Sequence, residues 1–443
     1  MSNGQMSGGE GSGKSYILSF FTILILLALG AVVFLYYKDT DPPNATLTPD
    51  ASHVGKGTSF SLAVADEGAG IASITVYAVR RESRTPLLEK SYAMPVPQAT
   101  ETFTLESTKL SDGSFDIEVT AKDASYYHFL KGNKVDIART YTLDTRAPVI
   151  SVSSGTHNIK RGGTALVAYT LNEDAATTGV AVGDLFFPGY KQADGRYLCF
   201  FAYPYFMDQD TYHPVLTATD AAGNERKAGF HYNLLHNTFR TDTINLPDSF
   251  LNAKMVDFEK DFPGDMTPLN RFLLVNRDLR AANRAALMGI GRTTAPTMLW
   301  QGAFERMKGA PRAGFGDHRT YVYNGNAVDE QDHLGMDLAS LQAYPVPAGN
   351  AGTVVFAGNM GIYGNVVILD HGLGLQSLYA HLSSFAVAEG ASVARGQVIG
   401  NTGSTGLAGG DHLHFGMLVS GQPVQPLEWW DERWIAHNIK DKL

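Results

Sequence analysis

Two short segments and one isolated histidine carry residue types that could do chemistry: His333-Leu334-Gly335-Met336-Asp337, His381, and Asp411-His412-Leu413-His414-Phe415. Strand side chains alternate faces, so His412 and His414 point the same way if their apolar neighbours Leu413, Phe415 and Met417 mark a strand. Two imidazoles on one face, with a histidine and a carboxylate four residues apart elsewhere, can hold a transition metal. The pattern implies a metal-dependent hydrolase. A single histidine on an apolar strand is an ordinary core or surface residue; an H-x-H together with an H-x-x-x-D inside one domain length is a far rarer coincidence. Two histidines and a carboxylate also serve the non-haem iron(II) oxygenases, but there the His and Asp usually stand two apart.

Those residues must be positioned by a stretch that is dense in glycine from Arg306 on, with short β-rich runs such as Thr353-Val354-Val355-Phe356 and Val366-Val367-Ile368-Leu369. This reads as an all-β module with tight turns over 306–443. Over 241–305 the pattern changes: Leu273, Leu274, Leu279, Ala282, Ala286 and Leu287 recur near helical spacing, with Gly289 and Gly291 as a stop. The expectation is a short helical connector that ends near Pro296 and packs Trp300 and Phe304 onto the last domain. Further upstream, Asp39-Thr40-Asp41-Pro42-Pro43 and Asp144-Thr145-Arg146-Ala147-Pro148 look like one linker used twice. Thr120-Ala121-Lys122-Asp123-Ala124 is echoed by Thr217-Ala218-Thr219-Asp220-Ala221. Short alternating runs between turn signals predict two β-sandwiches, 42–145 and 146–240, similar to the immunoglobulin-like repeats of bacterial surface and envelope proteins. The fold class expected is mainly β.

Ahead of these, Tyr16 to Tyr37 is an uncharged apolar run long enough to cross about 30 Å of hydrocarbon, with tyrosines at both ends. It exceeds a signal-peptide core of about 7–15 residues, and no small-residue cleavage site follows, which favours an uncleaved single-pass anchor over 16–37. Lys14 before the span and Asp39 and Asp41 after it place residues 1–15, a short flexible tail, in the cytoplasm and the rest outside. Gly8 to Ser15 spells the phosphate-loop pattern G-x-x-x-x-G-K-S, but no strand precedes it and a membrane span follows, so nucleotide binding is not expected. At 443 residues about three domains are expected, and 44% hydrophobic with 18% charged residues is a globular composition. A net charge of -9 argues against nucleic acid as a partner, and Cys199, the only cysteine, excludes an intramolecular disulfide or a cysteine-based zinc site.

His333-Leu334-Gly335-Met336-Asp337, Tyr379-Ala380-His381-Leu382-Ser383, Gly400-Asn401-Thr402-Gly403-Ser404-Thr405-Gly406 and His412-Leu413-His414-Phe415 resemble, in order and spacing, the lysostaphin-type (LytM-like) zinc metallopeptidases. The resemblance runs from about Phe315 to Pro426. It implies an all-β, duplicated hybrid-motif domain with one Zn2+ per chain held by His333, Asp337 and His414, and with His381 and His412 as catalytic histidines outside the ligand set. One departure is Asp411, where the family commonly has proline. No H-E-x-x-H is present, so the glutamate base of commoner zinc proteases is missing and histidine is the remaining acid–base candidate.

The implied function is endopeptidase cleavage of peptidoglycan stem-peptide cross-links or interpeptide bridges, for cell-wall remodelling. Its setting would be the extracytoplasmic face of a bacterial inner membrane, anchored in lipid, with cell-wall or division proteins as candidate partners. The alternative is a catalytically silent relative that regulates another cell-wall hydrolase; all five positions are intact here. Among the other candidates, His371 reads as structural, His318 as surface or supporting, and Asn365 and Tyr379 as either substrate-side or packing groups. A long N-terminal extension also suggests a cover for the cleft.

Overall fold

Alternation builds the first β region. In Phe60–Ala65 the side chains of Phe60, Leu62 and Val64 are buried, and in Gly113–Asp123 those of Phe115, Ile117, Val119 and Ala121. The buried faces belong to two sheets. One joins Asn44–Thr48, Phe60–Ala65 and Gln98–Phe103; the other runs His53–Val54, Lys134–Leu143, Gly113–Asp123, Ile71–Arg80, Ser83–Val96. Together they enclose a core in which Phe60 and Phe103 stack with ring centroids 5.2 Å apart. The computed structural model describes residues 12–443, with side chains from Tyr16. Of the tail expected over 1–15 and the Gly8–Ser15 motif, residues 1–11 lie outside the described residues. Ser12–Ser15 begin a helix, Ser12–Tyr37, that starts four residues before the apolar run. Its Tyr16–Tyr37 segment has a mean hydropathy of 2.8 and none of it is buried; it is long and apolar enough to cross a membrane.

The second β region differs from the self-contained sandwich expected over 146–240. Residues Pro148–Asp220 and Glu225–Leu443 form one compact unit. The sheets Tyr190–Lys191, Tyr197–Ala202, Thr164–Leu171, Ile150–Val152 and Leu185–Pro188, Thr177–Val182, Val215–Thr219, Glu225–Ala228 do face each other across a core. That core continues without a break into the C-terminal region. Every residue of Tyr197–Ala202 is buried, so this strand has no solvent face. Phe200 meets Trp429 edge-on at 5.8 Å, and Trp300 and Phe304 pack on Trp429 at 5.5 and 5.6 Å.

The connector opens on a strand, Thr241–Asn245, which the helical spacing did not suggest. It pairs in parallel with Asp317–Tyr323, and that strand forms a hairpin with Asn326–His333. Helices Asp248–Lys254 and Pro268–Leu274 follow, and a π turn at Val275–Leu279 leads into Arg280–Ile290. Thr267 Oγ1 accepts from Asn270 N at 3.2 Å, and Pro268 at the first helical position starts the second helix.

The C-terminal sheet runs Ala310–Ala313, Met336–Ala339, Leu413–Val419, Leu375–Leu382, Asn365–Asp370, Gly352–Asn359, Ser392–Val393, with Gln422–Val424 beside Leu413–Val419. Leu375–Leu382 and Leu413–Val419 are buried along their whole length, because both faces are covered. Tyr379, Phe415 and Met417 turn to the aromatic core around Trp429, whereas Leu378, Ala380 and Leu418 turn to the connector residues Phe272, Val275 and Leu287. By the same alternation His414 shares the connector face with Leu418. The connector therefore lies over the face on which the chemistry is placed.

Candidate metal centre

Met336–Ala339 and Leu413–Val419 pair so that Asp337 stands opposite His414, and His414 is opposite Ala380 on its other side, one residue from His381. His333 ends the hairpin strand four residues before Asp337. These registers bring three atoms to one point: His333 Nε2 lies 3.0 Å from Asp337 Oδ1 and 3.0 Å from His414 Nδ1, and His414 Nδ1 lies 2.9 Å from Asp337 Oδ1. All three residues are buried.

The donor chemistry fits a cation. His333 Nδ1 donates to the Gly314 carbonyl at 2.8 Å, so that Nε2, aimed into the triangle, is the nitrogen that offers a lone pair whenever the ring is deprotonated. Lone pairs on two nitrogens and a carboxylate at this separation repel one another unless a positive charge lies among them. Ligand distances of about 2.0–2.1 Å to zinc give tetrahedral edges of about 3.3–3.4 Å, a few tenths of an ångström longer than the sides observed, so a small outward shift of the three side chains would seat the ion. Gly335 is required here: a Cβ on it would fall 2.5 Å from His414 Nε2.

His381 and His412 flank the triangle, 4.8 Å apart between ring centroids. Each is held by its Nδ1, which donates at 2.8 Å to a backbone carbonyl, Thr405 for His381 and Gly410 for His412. Both therefore present Nε2 to the site, and His412 Nε2 lies 3.6 Å from Asp337 Oδ1. His381 adopts φ 62°, a left-handed conformation uncommon outside glycine, where its strand breaks off toward the 400–406 loop. That loop approaches so closely that a Cβ on Gly403 would meet the Ser383 amide nitrogen at 2.7 Å.

Burial pushes His414 down to about 4. It also pushes His381 well below the usual imidazole range, assisted by the His414 and His412 charges. Burial opposes protonation of His412 too, but the hydrogen bond and charge of Asp337 outweigh it and raise this group. Burial alone would raise Asp337; the charge of His333 and the hydrogen bonds of His333, His412 and His414 hold its carboxyl well below the carboxylate range.

The five histidine and aspartate positions singled out in the sequence thus line one cavity of about 360 Å³. The other candidates are elsewhere. His371 is fully buried, with Nδ1 donating to the Ala351 carbonyl and Nε2 at 2.7 Å from Ser377 Oγ, a packing role. Tyr379 takes the Gly349 amide proton at 2.7 Å in the aromatic core, Asn365 Nδ2 donates to the Leu382 carbonyl, and His318 pairs with Asp332. Asp411 Oδ2 accepts from Ala343 N at 3.0 Å and so ties the H-x-H segment to the neighbouring loop. Sequence reasoning missed Arg280, Arg319 and Tyr363, which also line the cavity. Arg319 Nη2 reaches Asp337 Oδ2 at 3.3 Å, and the Tyr363 ring lies 5.6 Å from that of His414. No spacing signal marks them, because they arrive from the hairpin, the connector and a 3-10 turn.

A buried His/Asp/His cluster with two further imidazoles beside it is a site that could hold a metal ion. The C-terminal region is a Peptidase family M23 domain of the LytM type, matched over residues 331–426. Over 95 residues the chain is 48% identical to the DD-carboxypeptidase/endopeptidase Mpg of Neisseria meningitidis serogroup B, a match that covers 21% of this chain and 22% of that one. It is 40% identical over 96 residues to the peptidoglycan DD-endopeptidase ShyA of Vibrio cholerae, covering 22% of each. The chain thus spans about a fifth of the length of these relatives. Among solved structures, the catalytic domain of the antimicrobial peptidase lysostaphin from Staphylococcus simulans is 32% identical, covering 28% of this chain and 92% of that one with a TM-score of 0.23.

Proposed function

We propose that the protein is a zinc-dependent endopeptidase that hydrolyses peptide bonds of peptidoglycan. The observation that carries this reading is the 2.9–3.0 Å triangle of His333, Asp337 and His414 with the Nε2 atoms of His381 and His412 beside it. His333, Asp337 and His414 would hold one zinc ion per chain, which supplies Lewis acidity that polarises a carbonyl and makes water easier to deprotonate at neutral pH. Of the imidazole pair, one takes the proton of the attacking water and delivers it to the leaving amine; the other donates to the oxyanion that develops on the scissile carbonyl. Water adds across the C–N bond, so the products are a carboxylate and an amine. The names of the Neisseria and Vibrio relatives support peptidoglycan as the substrate.

In this reading the Tyr16–Tyr37 helix anchors the chain in the cytoplasmic membrane with the M23 domain on the outer side, where peptidoglycan lies. Two upstream β regions then act as spacers or as contacts for other cell-wall proteins. The deciding experiment is incubation of the zinc-loaded protein with purified sacculi, with and without chelator, and identification of the released fragments. Release of peptide-cleaved fragments that stops on chelation is expected. Intact sacculi after incubation with the zinc-loaded protein would favour a regulator of another hydrolase.

A further inference from the structure

Beside its histidines, the cavity around the triangle is lined by two arginines, Arg280 and Arg319, against a single carboxylate, Asp337. Arg319 donates to the Asp337 oxygen that faces away from the triangle, and its Nε is buried with no hydrogen-bond partner among the described residues. Arg280 comes from the connector, directly after the π turn Val275–Leu279. Such turns insert a residue into a helix and re-aim the side chains that follow. Its Nε donates to the Asn276 carbonyl at 3.1 Å and an Nη to Asn276 Oδ1 at 2.6 Å. Asn276 is itself fully buried and fixed, donating from Nδ2 to Asp329 Oδ2 at 2.8 Å.

This chain of hydrogen bonds aims the Arg280 guanidinium without neutralising it. Among the described residues no carboxylate lies within ion-pair distance of Arg280. Its charged neighbours Arg284 and Arg319 have the same sign, and burial lowers its pKa. An arginine stays charged under such conditions, and this half-buried guanidinium, hydrogen-bonded only to Asn276 and with no carboxylate partner, gains a charge-assisted pair when an anion completes it.

We propose that Arg280 and Arg319 form a carboxylate-binding subsite of the catalytic cavity. The substrate would carry a free carboxylate on the carbon bonded to the scissile nitrogen. The proposal rests on the peptidase reading above. Arg319 touches Asp337 directly, so a carboxylate that it binds lies beside the reacting bond. The remaining wall, including Leu246, Pro247, Phe250, Ile362 and Leu407, is apolar, which suits a small aliphatic side chain and strengthens a charge-assisted pair by excluding water. Two substrates share this group: a peptide cleaved at its last bond, and a cross-link whose amine comes from the carboxylate-bearing carbon of a diamino acid.

The test uses the full-length, zinc-loaded protein in detergent. Substrates are an acetylated peptide ending in D-alanyl-D-alanine, its C-terminal amide, and cross-linked peptide dimers with that carboxylate free or amidated. The free acid is expected to exceed the amide in kcat/KM on the order of 10²-fold. Arg280→Gln should bring the two rates together, and Arg280→Lys, which keeps the charge without the fork, should fall between. Preference confined to the terminal peptide or to the dimer identifies which of the two sources the site takes. Equal rates on acid and amide, or a ratio unmoved in both Arg280 variants, overturn the subsite. Calorimetric binding of the same acid and amide gives a readout that needs no turnover. Acid-selective binding lost in Arg280→Gln, with no hydrolysis of any substrate, supports the subsite and overturns the peptidase reading. Binding of acid and amide with equal affinity overturns the subsite.

Discussion

At the scale of single residues the triangle makes metal content and catalysis separable. His414→Ala removes one of three donors, and the zinc content of the purified variant is expected to fall from about one per chain to near zero, read by elemental analysis. His381→Ala removes a group that only faces the site; it should keep its zinc and lose about 10²–10⁴-fold in cleavage rate. Loss of metal from His381→Ala would place that residue in the ligand set instead. Gly335→Ala tests the packing behind His414. A methyl 2.5 Å from Nε2 must displace the imidazole, so zinc affinity should drop by about 10–100-fold, as for other losses of ligand support. Unchanged affinity would mean that the ring has room to move.

At the scale of elements the connector is a structural wall before it is a cover. Phe272, Val275 and Leu287 bury the face of the sheet that carries Leu378, Ala380 and Leu418. Phe272→Ala should destabilise the C-terminal unit by about 3–5 kcal/mol, the usual result of emptying an aromatic core position, measured by denaturant unfolding. A truncation starting at Arg306 would strip that wall from the sheet and delete Arg280 from the cavity. Were the upstream residues only a lid, this shortened chain would cleave sacculi faster. The shared core leads us to expect the opposite: a less stable, slower protein.

At the scale of the whole molecule the second β region and the M23 domain depend on one another through Glu428. Its Oε2 accepts from Thr164 N at 2.9 Å, and burial pushes its carboxyl up to about 8, from 4.5 in a solvated chain. The folded state therefore keeps the proton that the unfolded chain releases near pH 4.5. Stability from this group is complete below that pH and is lost as pH rises toward 8. Thermal unfolding of the wild type should fall over that interval relative to Glu428→Gln, whose melting temperature should lack this component. Parallel pH profiles for the two proteins would remove Glu428 as the cause. For the membrane segment, the protein is expected in the membrane fraction after a carbonate wash, with Tyr16–Tyr37 intact; an N-terminus near Asp39 would reveal cleavage.

The sequence by itself determined the cluster, because metal donors are few residue types and strand alternation fixes their facing: His412 and His414 had to share a side, and His333 and Asp337 stood a short turn apart. It also determined the apolar span and the mainly β character, since local periodicity encodes both. Only the tertiary structure decided that the second β region shares a core with the M23 domain. Apolar residues such as Phe200 and Trp429 look alike whether they pack within a domain or across one. The strand Thr241–Asn245 was likewise undetermined, because each residue pairs with one 77 positions away in Asp317–Tyr323 and pairing at that distance leaves no local pattern. Arg280 and Arg319 show the same limit at the site. An arginine on a helix reads as a solvated charge until a π turn and a neighbouring hairpin, set by contacts remote in sequence, bring it to the wall of the cavity.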